Sequence, residues 1–513
     1  MKRALLLYVL LTAGAAMAEP IGGAGLPHFL LSDVFGTALA FMAPRTLDPT
    51  PVSDLTLWGL HGITAIDPSL TTATDTSGPL PNHIVLSGPS GVIISLPQPD
   101  ADDAAAWGET AARLTEAAAA ASPQVQQAGA TGVIRAFFEE LFDHLDPYSR
   151  YVSPDKAGAD RAQRGGIGGV GVTMAAAGPQ LEVVDIAPGS PADLAGVQLG
   201  DQIQSVDGNK TAGRSADQVN QWLAGGVGSS AEIVLRHPHG AFTTIELDRV
   251  LVPPDTVTLQ KDGDLAVITI SGFAADTAAR LKSAVATAAQ LAPQGLVLDM
   301  RDNRGGLLRQ AVDAADLFLN SGTIVATQGR DPAANHDFTA VQGDAANGLP
   351  IVALVDGRSA SAAEILAAAL ADNRRAVVVG SATLGKGLVQ TILPLPDGGE
   401  LFVTWSRVVA PRGWPLQGLG VLPQVCTSNG EQALDQQLTA LAAGQQPMAD
   451  ALARSRTARA PLPTVQLLEL RAPCPAAEAN DQDMTAAHWL IDHPKAYQTA
   501  LLPPFGVLAA INP

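Results

Sequence analysis

Ile351-Val-Ala-Leu-Val355 runs straight into Asp356-Gly357-Arg358-Ser359-Ala360-Ser361, and Ala362-Ala-Glu-Ile-Leu-Ala-Ala-Ala-Leu-Ala371 follows. Five unbroken apolar residues, a Gly/Ser turn and an alanine-rich stretch make a strand–turn–helix unit. The pattern recurs around it. Strands are expected at Leu265–Ile270, Leu296–Met300, Ile351–Val355 and Ala376–Val379, with helices at Ala274–Leu291, Leu307–Leu319 and Ala362–Ala371. Continuous apolar strands between amphipathic helices predict βαβ units in a sheet covered on both faces, an α/β core over 253–429.

The flanks differ in grammar. Residues 161–252 hold glycine-rich turns and short alternating strands, such as Leu181–Ile186 and Ala231–Arg236, with two short helices. That pattern suggests a small, partly open β-barrel. Residues 19–160 are expected to be mostly helical. Two helical stretches there, ahead of Asp67-Pro68 and Asp146-Pro147, are each read as ended by Asp-Pro, because a residue before proline disfavours the helical region. Residues 430–513 form a helical and loop-rich C-terminal extension. With 513 residues the chain is too long for one core, so a multi-domain protein is expected.

Composition narrows the function. Apolar residues make up 47% and charged residues 16%, which is globular rather than disordered. A formal charge of −19 argues against a nucleic-acid partner, because a polyanion would be repelled. Lys2 and Arg3 precede the apolar run Ala4–Leu11, and Ala16-Met17-Ala18 closes it. This is the pattern of a secretory signal peptide over 1–18. The mature chain is then expected outside the cytoplasm, periplasmic or extracellular, with no integral membrane segment. The two cysteines, Cys426 and Cys474, are expected to bridge in that oxidising compartment. Neither has a metal ligand near it at a metal-site spacing, so no metal or cofactor is expected.

Three strand ends carry unusual residues: Asp299-Met300-Arg301-Asp302-Asn303-Arg304-Gly305-Gly306, the Ser359/Ser361 turn, and Gly385-Lys386-Gly387. In an open α/β sheet, sites form at such ends. Ser361 sits where its hydroxyl projects beside the Ala362 amide, the placement of a nucleophile with an oxyanion donor. Serine also caps helices, the commoner use on the turn alone. Lys386 changes the balance. From Ser283 to Pro494 the chain uses arginine thirteen times and lysine once. Arginine cannot give up its proton in a protein, whereas a desolvated lysine can. No histidine lies at a strand end of this core, which disfavours a Ser–His–Asp scheme.

These residues resemble the C-terminal processing peptidases, or tail-specific proteases, from about Phe137 to Val425. Asp146-Pro147-Tyr148-Ser149 is similar to a segment ahead of that family's PDZ domain. Gly169-Val170-Gly171-Val172, Pro188-Gly189-Ser190-Pro191 and Leu199-Gly200-Asp201 are similar to the PDZ domain itself. Arg301-Asp302-Asn303-Arg304-Gly305-Gly306, Ser359-Ala360-Ser361 and Gly385-Lys386-Gly387-Leu388-Val389-Gln390 are similar to its catalytic motifs.

The resemblance implies a crotonase/ClpP-like protease core with an inserted PDZ domain. It implies Ser361 as nucleophile, Lys386 as general base and Gln390 orienting the lysine. Ala362 and either Gly305 or Gly306 would supply oxyanion amides. Asp372 falls on an acidic position with a supporting role in some members. Val170, Gly171 and Val172 would receive the end of a substrate peptide. The family's Gly-x-x-Pro-Asp appears as Gly420-Val421-Leu422-Pro423-Gln424, so the role of that Asp is absent here. The expected partners are proteins with exposed, apolar C-terminal tails; an adaptor protein and a homo-oligomer stay open. Two rival classes are a PDZ scaffold with an inactive core and an acyl-CoA-binding crotonase-type enzyme, the latter disfavoured by the signal peptide.

Overall fold

The computed structural model describes residues 26–75, 82–178, 180–341 and 343–504, so the expected signal peptide lies outside the described residues. The chain divides into two compact units, residues 1–40 with 51–144, and residues 41–50 with 145–513.

In the first unit, helices α1 (His28–Met42), α2 (Val52–Ile66), α3 (Ala104–Ala121) and α4 (Pro123–Phe142) bury Phe35, Leu60, Trp107 and Phe138. They carry an antiparallel sheet of β1 (Thr71–Asp75), β2 (His83–Gly88) and β3 (Gly91–Pro97), which the expected helical region did not include. Asp67 caps α2 as its Asp-Pro predicts. By contrast α4 stops at Phe142, four residues before Asp146. The reason is chemical: the Asp146 carboxylate accepts the amides of Tyr148 and Ser149 and so builds a turn instead of a helix end.

The second unit opens with β4 (Arg150–Val152) and α5 (Pro154–Gly165). Next comes a small β-rich body. It holds β5 (Ile167–Gly169), β6 (Val172–Ala177), β7 (Gln180–Ile186), α6 (Pro191–Leu194), β8 (Gln202–Val206), β9 (Asn209–Lys210), α7 (Ala216–Leu223), β10 (Ser230–Arg236), β11 (Phe242–Asp248) and β12 (Val250–Val252). Its core is Val170, Met174, Ile203, Val219 and Ile233. Strand β6 pairs only with β7 among the described residues, which leaves its other edge toward α7.

The α/β core follows as β13 (Val257–Asp262), β14 (Leu265–Ile270), α8 (Thr277–Gln290), β15 (Gly295–Asp299), α9 (Leu308–Asp316), β16 (Thr323–Gln328), β17 (His336–Thr339), β18 (Ile351–Val355), α10 (Ala362–Asp372), β19 (Ala376–Gly380), β20 (Leu388–Pro394), β21 (Glu400–Val409) and β22 (Val425–Cys426). The main sheet runs β13-β14-β15-β18-β19-β22, parallel except for β13. A second sheet, β17-β16-β21-β20, was not expected.

Strand alternation assigns the two faces. Ile351, Ala353 and Val355 share a cluster with α8, α9 and α10. Val352 and Leu354 pack with Leu434, Leu438, Leu490 and Tyr497 of the extension. Helices α11 (Glu431–Ala442), α12 (Ala449–Thr457), α13 (Thr464–Arg471), α14 (Asp481–Asp492) and α15 (Pro494–Ala500) make up that extension. It covers a face of the core sheet and is part of the core. Cys426 and Cys474 are disulfide-bonded. No helix among the described residues is long and apolar enough to cross a membrane.

Candidate active site

Each of the three marked strand ends is built by a different hydrogen-bonded residue. After β15, Asn303 is fully buried. Its Nδ2 donates to Ile270 O at 2.6 Å, its Oδ1 accepts the Gly305 N–H at 2.8 Å, and its carbonyl accepts the Ala360 N–H at 2.9 Å. Asn303 therefore ties the glycine loop to the serine turn.

After β18, Ser359 is consumed by the turn. Its Oγ donates to Met300 O at 2.8 Å and accepts the Asp356 N–H at 2.9 Å, with no exposure. Ser361 is different. It is partly exposed, stands at the N-cap of α10, and has φ +55°, a strained value for a residue with a side chain. The strand-to-helix turn thus lifts Ser361 out of regular geometry and leaves Ser359 as the structural serine. The cap of α10 is contributed in part from Glu364, which accepts the Ser361 N–H at 2.7 Å.

Glu364 also organises the lysine loop. It is fully buried and accepts the Gly385 N–H at 2.7 Å, the Lys386 N–H at 2.9 Å and the Thr383 hydroxyl. Burial pushes its carboxyl above the usual range, against four donors that favour the charged form. Lys386 is half-buried. Burial draws its ammonium below the ordinary lysine value and the positive charge of Arg150 adds to that, while Glu364 and Asp146 pull the other way. Its Nζ lies 5.0 Å from the centroid of the Tyr148 ring.

Gln390 is placed on β20, four residues beyond the lysine, but its amide donates to Leu388 O and Thr404 Oγ1, both at 3.1 Å. Thr404 Oγ1 in turn donates to Asp146 Oδ1 at 2.7 Å, and Ser149 Oγ donates to Asp146 Oδ2 at 2.5 Å. Gln390 therefore connects to the lysine's surroundings through Thr404, Asp146 and Tyr148.

The glycine pair divides its labour. A Cβ on Gly305 would sit 2.9 Å from Ser361 Cβ, so only glycine lets this loop approach the Ser361 turn. Its amide, however, is already donated to Asn303. Gly306 bridges Phe273 in a parallel pairing whose bonds run from Phe273 N to Gly305 O and from Leu307 N to Phe273 O. That pattern turns the Gly306 amide away from Phe273. Ala362 holds the first helical position of α10, where an N–H has no intrahelical acceptor. Of the expected oxyanion donors, Ala362 and Gly306 have the amides that are not committed to another acceptor among the described residues.

Asp372 ends α10, eleven residues from Ser361 and roughly 16 Å along the helix. Its carboxylate is fully buried, accepting Arg456 Nε at 2.9 Å and Trp414 Nε1 at 2.8 Å. It locks α12 of the extension to the far end of α10 and does not reach the serine.

In the small β-rich body, Val170, Gly171 and Val172 line a groove with Asn220 of α7, Asp185 and Arg280. The open edge of β6 is occupied by a side chain: Asn220 Nδ2 donates to Met174 O at 3.1 Å, and its Oδ1 accepts the Met174 N–H at 2.9 Å. Arg280 reaches the groove from core helix α8, with Asp276 at 2.8 Å, Asp255 at 3.3 Å and Asp185 at 3.4 Å. Asn303, Glu364, Thr404, Asn220 and Arg280 were not singled out from the sequence. For Asn303 and Glu364 the signal was present, since both stand inside the quoted motifs.

Residues 264–427 match the family described as peptidase family S41, and residues 182–237 match the PDZ domain. The carboxy-terminal-processing protease of Bartonella bacilliformis is 35% identical over 287 residues, 55% of this chain and 66% of that protein. The carboxyl-terminal-processing protease of Synechocystis sp. is 34% identical over 295 residues, 56% of this chain and 69% of that protein. The chain spans 60–66% of the length of three such relatives. Among solved structures, the photosystem II D1 C-terminal processing protease aligns at 27% identity with a TM-score of 0.36, over 72% of this chain and 92% of that one.

Proposed function

The chain belongs to peptidase family S41, among the carboxyl-terminal-processing proteases, and on that premise we propose that it is an exported serine endopeptidase acting on proteins with exposed, apolar C-terminal tails. The observation that carries the chemistry is Glu364, whose one oxygen Oε2 accepts the amides of both Ser361 and Lys386. A single buried carboxylate thereby sets a nucleophile against a base that burial has made easier to deprotonate.

The steps follow from those groups. Neutral Lys386 takes the proton from Ser361 Oγ as that oxygen attacks the scissile carbonyl. The Ala362 and Gly306 amides receive the developing oxyanion. The lysine ammonium then protonates the leaving amine, and water, deprotonated by the same lysine, releases the acyl group. Thr404, Asp146 and Tyr148 hold the wall beside the lysine, with Gln390 supporting Thr404. The groove at Val170-Gly171-Val172 captures the tail by adding it to β6 as a strand. The signal-like segment at 1–18 supports export to the periplasm or the cell exterior.

The test is mass analysis of an unstructured peptide with an apolar C-terminus after incubation with the mature chain. Wild type should give defined internal cleavage products, and Ser361→Ala should give none while still folding and binding the peptide. Equal cleavage by Ser361→Ala would end the proposal.

A further inference from the structure

The C-terminal extension reaches the catalytic end of the sheet, beyond the 264–427 stretch that matches the protease family. Three of its residues touch three different strand-end loops. Arg471, at the end of α13, donates Nη2 to Thr383 O at 2.7 Å and Nη1 to Leu419 O at 2.6 Å, which holds the lysine loop. Ala477 accepts the Gly357 N–H at 2.7 Å and the Ser381 hydroxyl at 2.9 Å, and donates its own N–H to Ser381 Oγ at 3.0 Å. It thus joins the serine turn to the lysine loop. Asp483 pairs with Arg301 Nη1 at 3.3 Å and accepts the Thr427 hydroxyl at 2.6 Å, which holds the glycine loop. Between the first two lies Cys474, bonded to Cys426 at the end of β22.

We infer that residues 471–483 form a strap across the carboxyl ends of the core strands, with Arg471 as the residue that positions the lysine loop against the serine turn. The inference rests on the Ser–Lys reading for what is positioned, but the contacts themselves stand apart from it. Catalysis by paired groups depends on their relative placement to within about 1 Å. The loops bearing Ser361 and Lys386 leave neighbouring strands, and Glu364 ties their amides from inside. The strap ties the same loops from outside, through backbone carbonyls and amides. Arg471 suits the task because a planar guanidinium donates to two carbonyls at once, here from residues 383 and 419, whereas an ammonium is a point donor. Its guanidinium is largely buried, and the attraction that opposes this burial comes from Glu364, the same carboxylate that holds both amides. The disulfide closes the strap onto β22, so its closure is linked to the oxidising compartment in which such bonds persist.

The experiment uses the full mature chain with Arg471→Met, Arg471→Lys and Ser381→Ala, the last removing the hydroxyl that meets Ala477. Steady-state kinetics on an unstructured peptide are measured across pH, together with hydrogen exchange at the amides of Ser361, Gly385 and Lys386. In Arg471→Met, kcat should fall on the order of 10²-fold with KM within about twofold. The rising limb of the pH profile should move to higher pH, because a loosened loop lets water reach Lys386 and favours its charged form. Exchange at Gly385 and Lys386 should accelerate, Arg471→Lys should recover part of kcat, and Ser381→Ala should fall between. Lowered thermal stability with kcat, pH profile and exchange unchanged would make Arg471 merely structural and overturn the strap. Accelerated exchange with kcat untouched would overturn it too. Full turnover in a Ser361→Ala control would sink the Ser–Lys reading instead, and the exchange data would still decide whether the strap orders these loops.

Discussion

Ser361 and Lys386 donate their backbone amides to the same oxygen of Glu364, at 2.7 and 2.9 Å. The two proposed reacting residues come from different strand ends, and the Glu364 carboxylate joins them through their backbone amides. Replacing it is therefore informative. Glu364→Gln keeps the size but turns an NH₂ toward either this amide pair or the Thr383–Gly385 pair, so donors face donors. Hydrogen bonds to a charged acceptor are worth about 1.5–3 kcal/mol each. Urea unfolding should show a loss on that order, and kcat should drop on the order of 10²-fold in the protein that remains folded. Unchanged turnover would mean that the carboxylate does not set the alignment.

The two serines of the turn separate by what their hydroxyls already do. Ser359 Oγ is committed to Met300 O and the Asp356 amide, so Ser359→Ala should cost about 1–3 kcal/mol of stability and retain most activity. Ser361→Ala should abolish cleavage with stability nearly unchanged. Equal activity loss in both variants, measured at matched folded fraction, would reassign the roles.

The pH dependence has a defined sign. Only the neutral lysine accepts a proton, and the Lys386 ammonium is held below the ordinary value of about 10.4 by burial and by Arg150. Activity should therefore be low in acid and rise as pH climbs through that lowered pKa. Arg150→Gln removes a repelling charge, so the limb should move to higher pH. Because the Arg150 side chain is 46% exposed, the shift should shrink as salt is added. A limb that stays in place in Arg150→Gln at low salt argues against Lys386 as the titrating base. Lys386→Arg should be nearly as inactive as Lys386→Ala, since the chemistry needs a removable proton.

Asp372 was expected to support catalysis, and its buried pairing with Arg456 predicts something else. Removing one partner of a buried ion pair costs about 3–5 kcal/mol, because the other charge is left without compensation. Asp372→Ala should show that loss in urea unfolding while kcat of the folded protein holds within about twofold. A collapse of kcat at intact stability would favour the supporting role in catalysis.

How much of this was legible depends on what a residue writes into the sequence. Strands Ile351–Val355 and Leu265–Ile270 were readable to the residue, because apolar runs buried on two faces leave no polar alternation to blur their ends. The β1–β3 sheet was not, because β1 is Thr71-Thr-Ala-Thr-Asp75 and only partly buried. The proposal of Ser361 and Lys386 as a pair came from a lone lysine in an arginine-rich region. The choice between Gly305 and Gly306 was not, since it turns on which amide Asn303 has taken. On the strap side the contact at Ala477 is made by its backbone N–H and C=O, which leaves no signature in the identity of residue 477.

The last prediction concerns the groove, where Asn220 holds both the N–H and the C=O of Met174. A peptide adding to β6 as a strand would bond to the outward backbone groups of that strand, which are the ones Asn220 now occupies. Binding therefore has to replace these two bonds before it gains its own. Neutral hydrogen bonds are worth about 0.5–1.5 kcal/mol each, so Asn220→Ala should tighten a C-terminal peptide by roughly 5- to 100-fold. Arg280 adds the link to catalysis. It lies on core helix α8 and pairs with Asp185 of β7, next to the groove. If groove occupancy is felt in the core through this pair, Arg280→Gln should lower the stimulation of kcat by a tail-bearing peptide and leave its Kd within about threefold. The measurement is cleavage of one short reporter peptide, with and without a second peptide whose C-terminus is free or amidated. Weaker binding in Asn220→Ala would mean that Asn220 contacts the ligand rather than standing in its place. Identical kcat in all peptide combinations, for wild type and Arg280→Gln alike, would leave the groove as a passive tether.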